Sequence, residues 1–377
     1  GSEEFRQAAR TELARTLGPL YVDFVTCRTQ MARLEEMHFT AHDTDLDEVR
    51  EEIFAVGLEE EMTSLANIGR LDLLASLECL SNLFHQLVPQ IQALWDGSVG
   101  VVTPPAAGLL EESRLVIRYV GHLLTDDNDG ETPVIPDTIV AACQQPSNQE
   151  IVTQAIMGAV HTVRDFAHYQ VTKIMQHPSD PRLSPLLAKS FLWFFHRWAP
   201  AYILPVDYTH GSPDKDGSTN TIAKAWTSTD RVNDAVSFVI TLCVHYHCYW
   251  PQERQVQEKA SILLHDMAKR CQSMRLAMMN TPAFRDLISY HCLTSGIRHS
   301  ASPAEFESII LSKVGNEYCN VEMLRGYQRL PYDIKSKILT GILVGCSEHG
   351  DATSKKYFEE CLGAVREPFS ALVNALS

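Results

Sequence analysis

The chain has 377 residues, of which 32 are Lys or Arg and 47 are Asp or Glu, for a formal net charge of −15. That balance argues against general binding of nucleic-acid backbones, which needs phosphate-neutralising cations, and suits solubility and rapid encounter with basic proteins. The length exceeds what one ordinary core supports unless that core is elongated.

No run of eighteen apolar residues occurs, and the richest short run, Phe191 to Phe195, lies between Lys189 and Arg197. The ten cysteines form no C-x-x-C, and Cys79, Cys143, Cys243 and Cys361 fall inside apolar helical patterns. A free thiol there behaves as a small hydrophobe, so reduced, intracellular cysteines are expected. Gly1-Ser2 resembles a cloning remnant followed at once by a helix, which points to a piece of something longer.

From Glu3 to Glu36, Leu13, Leu17, Leu20, Phe24, Cys27, Met31 and Leu34 recur at three- and four-residue steps and predict the buried stripe of a helix, broken at Pro19. The stretch from His38 to Glu61 is strongly acidic, with Asp43, Asp45, Asp47, Glu59, Glu60 and Glu61 among its carboxylates and only Arg50 opposing them. Self-repulsion predicts a loop at its start, with an amphipathic helix through Val49, Ile53, Phe54 and Leu58. Met62 to Trp95 reads as a helix pair: Leu65, Ile68, Leu71 and Leu74 stripe the first member, Leu77, Leu80, Leu83, Phe84, Leu87, Ile91 and Leu94 the second. Pro89 is tolerated there only as a kink.

After a Gly/Val/Pro linker from Asp96 to Pro105, a helix through Leu109, Leu115, Val116, Tyr119, Val120, Leu123 and Leu124 stops at an acidic turn. Asp126, Asp127, Asp129 and Glu131 surround Gly130, and Pro133 and Pro136 follow. Further helices are predicted over Thr138 to Cys143, Gln149 to Met175 and Leu186 to Tyr202, the last ended by Pro200. Asp207 to Asn220 reads as a long loop. Helical patterns then cover Val232 to Tyr249, Val256 to Met279, Ala283 to His291, Ala304 to Val314, Asn320 to Tyr327, Asp333 to Val344 and Ser354 to Leu376.

No alternating strand pattern is found, so the expected fold is all-α: an α-solenoid of antiparallel HEAT-type helix pairs, each burying its face against its neighbours. A compact pair of all-helical domains is the alternative. The expected organisation is residues 1–105 with the acidic loop 38–61, then 106–206, then 207–377 after the loop 207–220, joined as one continuous solenoid.

Four clusters carry candidate chemistry. Cys243, His245, His247 and Cys248 are zinc-donor types, but on a regular helix Cys243 and His247 share a face that His245 leaves, and the series Val236, Val239, Ile240, Cys243, His247 reads as a core stripe. The run from Asp126 to Glu131 suggests calcium, yet the twelfth loop position is Asp137 rather than a bidentate glutamate. A solvated acidic loop or a docking surface for a basic partner fits it better. The FLWFFHRW run from Phe191 to Trp198 has the spacing of core packing, not of base stacking. Glu59, Glu60 and Glu61 resemble a small acidic pocket. No phosphate-loop, zinc-protease or nucleophile-elbow motif is present, so neither catalysis nor a catalytic residue is expected.

The order of Leu65-Ala66-Asn67-Ile68-Gly69-Arg70, the run Gly121 to Pro136, the run Phe194 to Tyr202, LTGILVGC and KKYFEECLGAVREPF resembles the middle-to-C-terminal part of export receptors of the karyopherin-β family. The likeness covers most of the chain and is weakest over Glu3 to Glu52 and Asp207 to Asn220. It implies a non-catalytic HEAT superhelix with no cofactor or metal. It also implies shuttling between nucleus and cytoplasm, with Ran-GTP, nuclear pore proteins and basic cargo, including the hypusine-containing translation factor 5A, as partners. Asp126, Asp127, Asp129 and Glu131 are the expected partner-contact loop. A HEAT scaffold without Ran coupling is the rival reading.

Overall fold

The computed structural model describes residues 2–42, 47–98, 100–126, 132–145, 147–203, 229–270, 272–294, 302–314 and 320–346, with a few isolated positions besides. Among these residues every regular element is helical. The single β-type contact is an antiparallel bridge between Asp126 and Val134. The fold is all-α, built by sequential packing of helix pairs in the manner of a HEAT-type α-solenoid. The chain divides into two compact units, the first formed mainly by residues 1–173 and 179–205, the second mainly by 227–377.

In the first unit the helices are α1 (Ser2–His42), α2 (Asp47–Gly69), α3 (Leu73–Asp96), α4 (Pro104–Leu124), α5 (Asp137–Gln144), α6 (Gln149–Gln176, whose last residues fall to the second unit) and α7 (Pro185–Tyr202). A 3-10 turn at Arg70–Asp72 separates α2 from α3, and the Asp72 side chain accepts from the Ala75 amide to start α3. The central helix is α4. It is buried over most of its circumference, including Leu115, Val116, Ile117, Tyr119, Val120, Leu123 and Leu124, because α1, α2, α3 and α7 all pack on it. At α3 and α6, Trp95 stacks on Phe166 with ring centroids 5.8 Å apart, and Phe166 meets Phe191 of α7 edge-on at 5.1 Å.

The predicted stripe of α1 is not its buried face. Leu13, Leu20, Phe24, Met31 and Leu34 are exposed, Leu34 at 64 %, and Cys27 is exposed too. The buried face carries Gly18, Tyr21, Val25, Thr29 and Ala32 instead. Close approach explains the exchange. A Cβ at Gly108 of α4 would fall 2.5 Å from the Arg33 carbonyl of α1, and one at Gly69 would fall 2.7 Å from the Tyr21 ring. Helices this near leave no room for a side chain at Gly108, and Gly69 leaves room for the buried Tyr21 ring. The interior of the contact is tied by Arg33 to the buried Glu112 at 3.2 Å.

Proline did less than its local rule predicts. α1 runs unbroken through Pro19, α3 through Pro89 and α7 through Pro200. A proline removes one intrahelical hydrogen bond, and the buried apolar faces of α3 and α7 outweigh that local loss. The pattern predicted as one helix from Val256 to Met279 is helical over Arg254–Arg270 and Gln272–Asn280, and residue 271 between them lies outside the described residues.

The second unit contains α8 (Thr229–Tyr249), α9 (Arg254–Arg270), α10 (Gln272–Asn280), α11 (Pro282–Thr294), α12 (Pro303–Val314), α13 (Val321–Gln328) and α14 (Tyr332–Cys346). The pair α8/α9 lies against the pair α13/α14, α8 touching α13 and α9 touching α14. Gly326 makes the first contact possible: an added Cβ would sit 1.6 Å from the Cys248 carbonyl oxygen. Ile297, Phe306, Ile310 and Leu324 form a smaller apolar cluster closed by Tyr290, Leu293 and Val321. The predicted terminal helix from Ser354 to Leu376 lies almost wholly outside the described residues, as does the loop Asp207 to Asn220.

Candidate partner-binding surface

The acidic turn begins where α4 ends, and buried cations determine how it begins. The last carbonyls of a helix have no intrahelical donor, and here three side chains from two other elements supply donors. Arg70, 7 % exposed, donates to the carbonyls of His122 (2.5 Å), Leu123 (2.9 Å) and Thr125 (3.2 Å). Tyr202 of α7 donates its hydroxyl to the Leu124 carbonyl at 2.8 Å. Arg197, also of α7, donates to the hydroxyl and the carbonyl of Thr125 at 3.0 and 3.3 Å. A guanidinium at this end is also favoured by the helix dipole.

Asp126 completes the arrangement. Its carboxylate accepts from Arg70 at 2.5 Å while its side chain stays 41 % exposed. Its backbone exchanges hydrogen bonds with Val134, at 3.0 and 2.9 Å, so the two flanks of the acidic run are fastened together. Of the four residues expected to contact a partner, Asp126 is thus placed at the mouth of the turn. Asp127, Asp129 and Glu131 lie outside the described residues. Arg70 is 56 residues away in sequence and is the determinant that pattern reading missed. A lone arginine at the end of an apolar helix signals nothing by itself.

The triplet Glu59, Glu60, Glu61 does not form one acidic pocket. Glu59 pairs with Arg118 and, at 2.9 Å, with His122, whereas Glu61 turns toward Arg28 at 3.9 Å. The Arg118 guanidinium lies 3.7 Å and that of Arg197 4.9 Å from the Trp193 ring centre, so two cations contact one indole. Burial, and then the nearby Arg197, lowers the Arg118 pKa to about 9. The rest of the FLWFFHRW run is core: Phe191, Phe194, Phe195 and Trp198 are each at most 3 % exposed.

The cysteine–histidine cluster of α8 is also core. Cys243, His247 and Cys248 are buried, while His245 faces away and meets Tyr249 edge-on at 6.1 Å. His247 Nδ1 is paired with Gln257 Oε1, and the Gln257 amide donates to the carbonyls of Tyr246 (2.8 Å) and Trp250 (2.7 Å). Those two donations orient the amide so that its oxygen receives the imidazole N–H. Burial then lowers the His247 pKa to about 4, and the ring is neutral at pH 7. Burial likewise raises the thiols of Cys243 and Cys248 well above their ordinary range. Among the described residues no group of three or more His, Cys, Asp or Glu could hold a metal ion, and no described helix is long and apolar enough to cross a membrane.

Stacked helix pairs without a sheet among the described residues define a HEAT-type α-solenoid scaffold. Residues 2–298 match the model of the exportin-4 family, and the chain belongs to that family. A curated relative, exportin-4 of Dictyostelium discoideum, is 25 % identical over 152 residues, which is 39 % of this chain. The match spans 12 % of the relative's length.

Proposed function

We propose that this chain is a segment of a transport receptor that works as a protein-binding wall, and that its partners are basic proteins. The observation that carries the reading is the acidic turn after α4, whose first carboxylate, Asp126, is anchored by Arg70 yet remains partly open to solvent. The net charge of −15 supports it by drawing cationic partners toward the surface. Stacked helix pairs suit it as well, since they offer extended surface with no requirement for a deep catalytic cleft.

The finer reading is an export receptor in which Ran-GTP changes the affinity for cargo, with the hypusine-containing translation factor 5A as cargo and nuclear pore proteins as further partners. Family membership motivates it, while the stacked helix pairs suit equally well, or better, a HEAT scaffold indifferent to nucleotide. A titration of hypusinated translation factor 5A into the full-length receptor tests both, with Ran loaded with GTP and then with GDP. The same titration is run on a receptor carrying Asp126→Asn, Asp127→Asn, Asp129→Asn and Glu131→Gln. Several-fold weaker cargo binding by the variant at unchanged helicity is expected, and equal affinity would remove the acidic turn from the contact surface. Cargo binding indifferent to nucleotide would leave the scaffold reading and eliminate the Ran-coupled one.

A further inference from the structure

On the first unit a cleft of about 370 Å³ opens between α3 and α6. Its floor is apolar, made by Phe84, Val88 and Phe166, with Phe84 and Phe166 each 1 % exposed. Its rim accepts hydrogen bonds from three directions. Asp165 stands exposed at one edge and makes no ion pair with another described residue. Thr162 spends its hydroxyl hydrogen on the Gly158 carbonyl at 2.9 Å, which leaves its oxygen as an acceptor. Across from them His85 and Pro89 lie one turn apart on the same side of α3. Pro89 has no amide hydrogen, so the His85 carbonyl lacks the donor that a helix would normally give it. No lysine or arginine lines the cleft.

We propose that this cleft takes one lysine or arginine side chain of a partner protein. The aliphatic stem lies along Val88 and Pro89, above the buried rings of Phe84 and Phe166, and the cationic head reaches the Asp165 carboxylate, the Thr162 oxygen and the His85 carbonyl. Long cationic side chains cover apolar surface in this way while keeping the charge among polar groups, and a cation donating to a carboxylate is among the stronger hydrogen bonds available. A purely aliphatic occupant would bury the His85 carbonyl without a donor, an uncompensated loss. An acidic occupant would meet Asp165. The proposal rests on the protein-binding reading above and adds to it a second contact, formed by residues other than those of the acidic turn.

The test uses the 377-residue chain and a fluorescein-labelled ten-residue peptide of alternating leucine and lysine, followed by fluorescence anisotropy. The same peptide with every lysine acetylated is the comparison. Three variants are measured: Asp165→Asn, which removes the charge; Thr162→Trp, which fills the cleft; and Glu150→Gln, which removes an exposed carboxylate elsewhere on α6. Circular dichroism and the thermal midpoint confirm that each is folded. The lysine peptide is expected to bind at least about fivefold more tightly than the acetylated one. Asp165→Asn should reduce its affinity by about fivefold, Thr162→Trp should abolish binding, and Glu150→Gln should change it by less than about twofold. Equal binding of the two peptides, no binding, or equal effects of Asp165→Asn and Glu150→Gln would overturn the proposal. In the full-length receptor, cargo affinity unmoved by Asp165→Asn and Thr162→Trp would overturn the cleft alone. Absence of any basic cargo binding would overturn the protein-binding reading beneath it.

Discussion

Replacing Arg70 by methionine should weaken the first unit far more than any change in the acidic turn itself. The side chain is 3 % exposed and donates to three carbonyls at the end of α4, to Asp126 and, at 3.0 Å, to Asn67. Methionine keeps most of the packing volume and removes every donor. The carbonyls of His122 and Leu123 then lose a charged donor in a buried setting, at about 1.5–3 kcal/mol each. The Asp126 ion pair adds less, because that carboxylate is 41 % exposed and screened by solvent. The sum is about 3–5 kcal/mol, in the range for breaking a buried ionic network. For a unit of this size that corresponds to a thermal midpoint lower by roughly 10 °C. Calorimetry and urea unfolding on wild type, Arg70→Met and Asp126→Asn measure it, with the two units analysed as separate transitions. Asp126→Asn should cost about 1 kcal/mol or less. A loss below about 1 kcal/mol for Arg70→Met would show that the helix end is satisfied without the guanidinium, and the anchoring of Asp126 would fall with it.

Acid should destabilise the second unit through two histidines. Burial lowers the pKa of His247 to about 4, and burial together with Lys335 does the same for His291. The unfolded chain therefore binds more protons between about pH 4 and pH 6.5. The stability is fully present above pH 6.5 and declines toward pH 4 by about 1.4 kcal/mol per pH unit for each ring. Urea midpoints at pH 7.5, 6 and 5 test this, and His247→Phe should flatten the slope by about half; an unchanged slope would refute it. Gly326→Ala should cost more than about 3 kcal/mol, since the Cβ would meet the Cys248 carbonyl 1.6 Å away and α8 and α13 would have to separate. Loss of the second unfolding transition in calorimetry is the readout, and a near-normal transition would contradict the close packing. Leu20→Lys with Met31→Glu should leave the thermal midpoint within about 1 °C, because both side chains are exposed, at 56 and 47 %. A large stability loss would mean that this face is packed after all.

Much of the helical content was legible along the chain. The repeats at three and four residues placed α6 and α7 to within a residue or two, and they marked Phe191, Phe194, Phe195 and Trp198 as core. They did so because those helices have one dominant apolar face, and burial of that face is worth more than any competing local preference. Cys243 and His247 were readable as core on the same ground. The acidic character after α4 was equally plain, since charge is a property of the residues themselves.

Tertiary structure decided what a helix with two usable faces would do. On α1 the stripe of Leu13, Leu20, Phe24, Met31 and Leu34 has the stronger hydrophobic pattern, yet Gly18, Tyr21, Val25, Thr29 and Ala32 are the residues packed inward. Hydrophobicity ranks faces, but the close backbone approach at Gly108 and the room Gly69 leaves for the Tyr21 ring select the face that fits. Periodicity carries no information about that spacing. The same holds for Asp126, whose charge is visible in the sequence and whose partner is not. Arg70 and Arg197 reach the end of α4 from 56 residues before it and 71 after it, measured from Asp126. Only the packing of α2 and α7 on α4 brings their guanidinium groups to the carbonyls that a helix end leaves without donors.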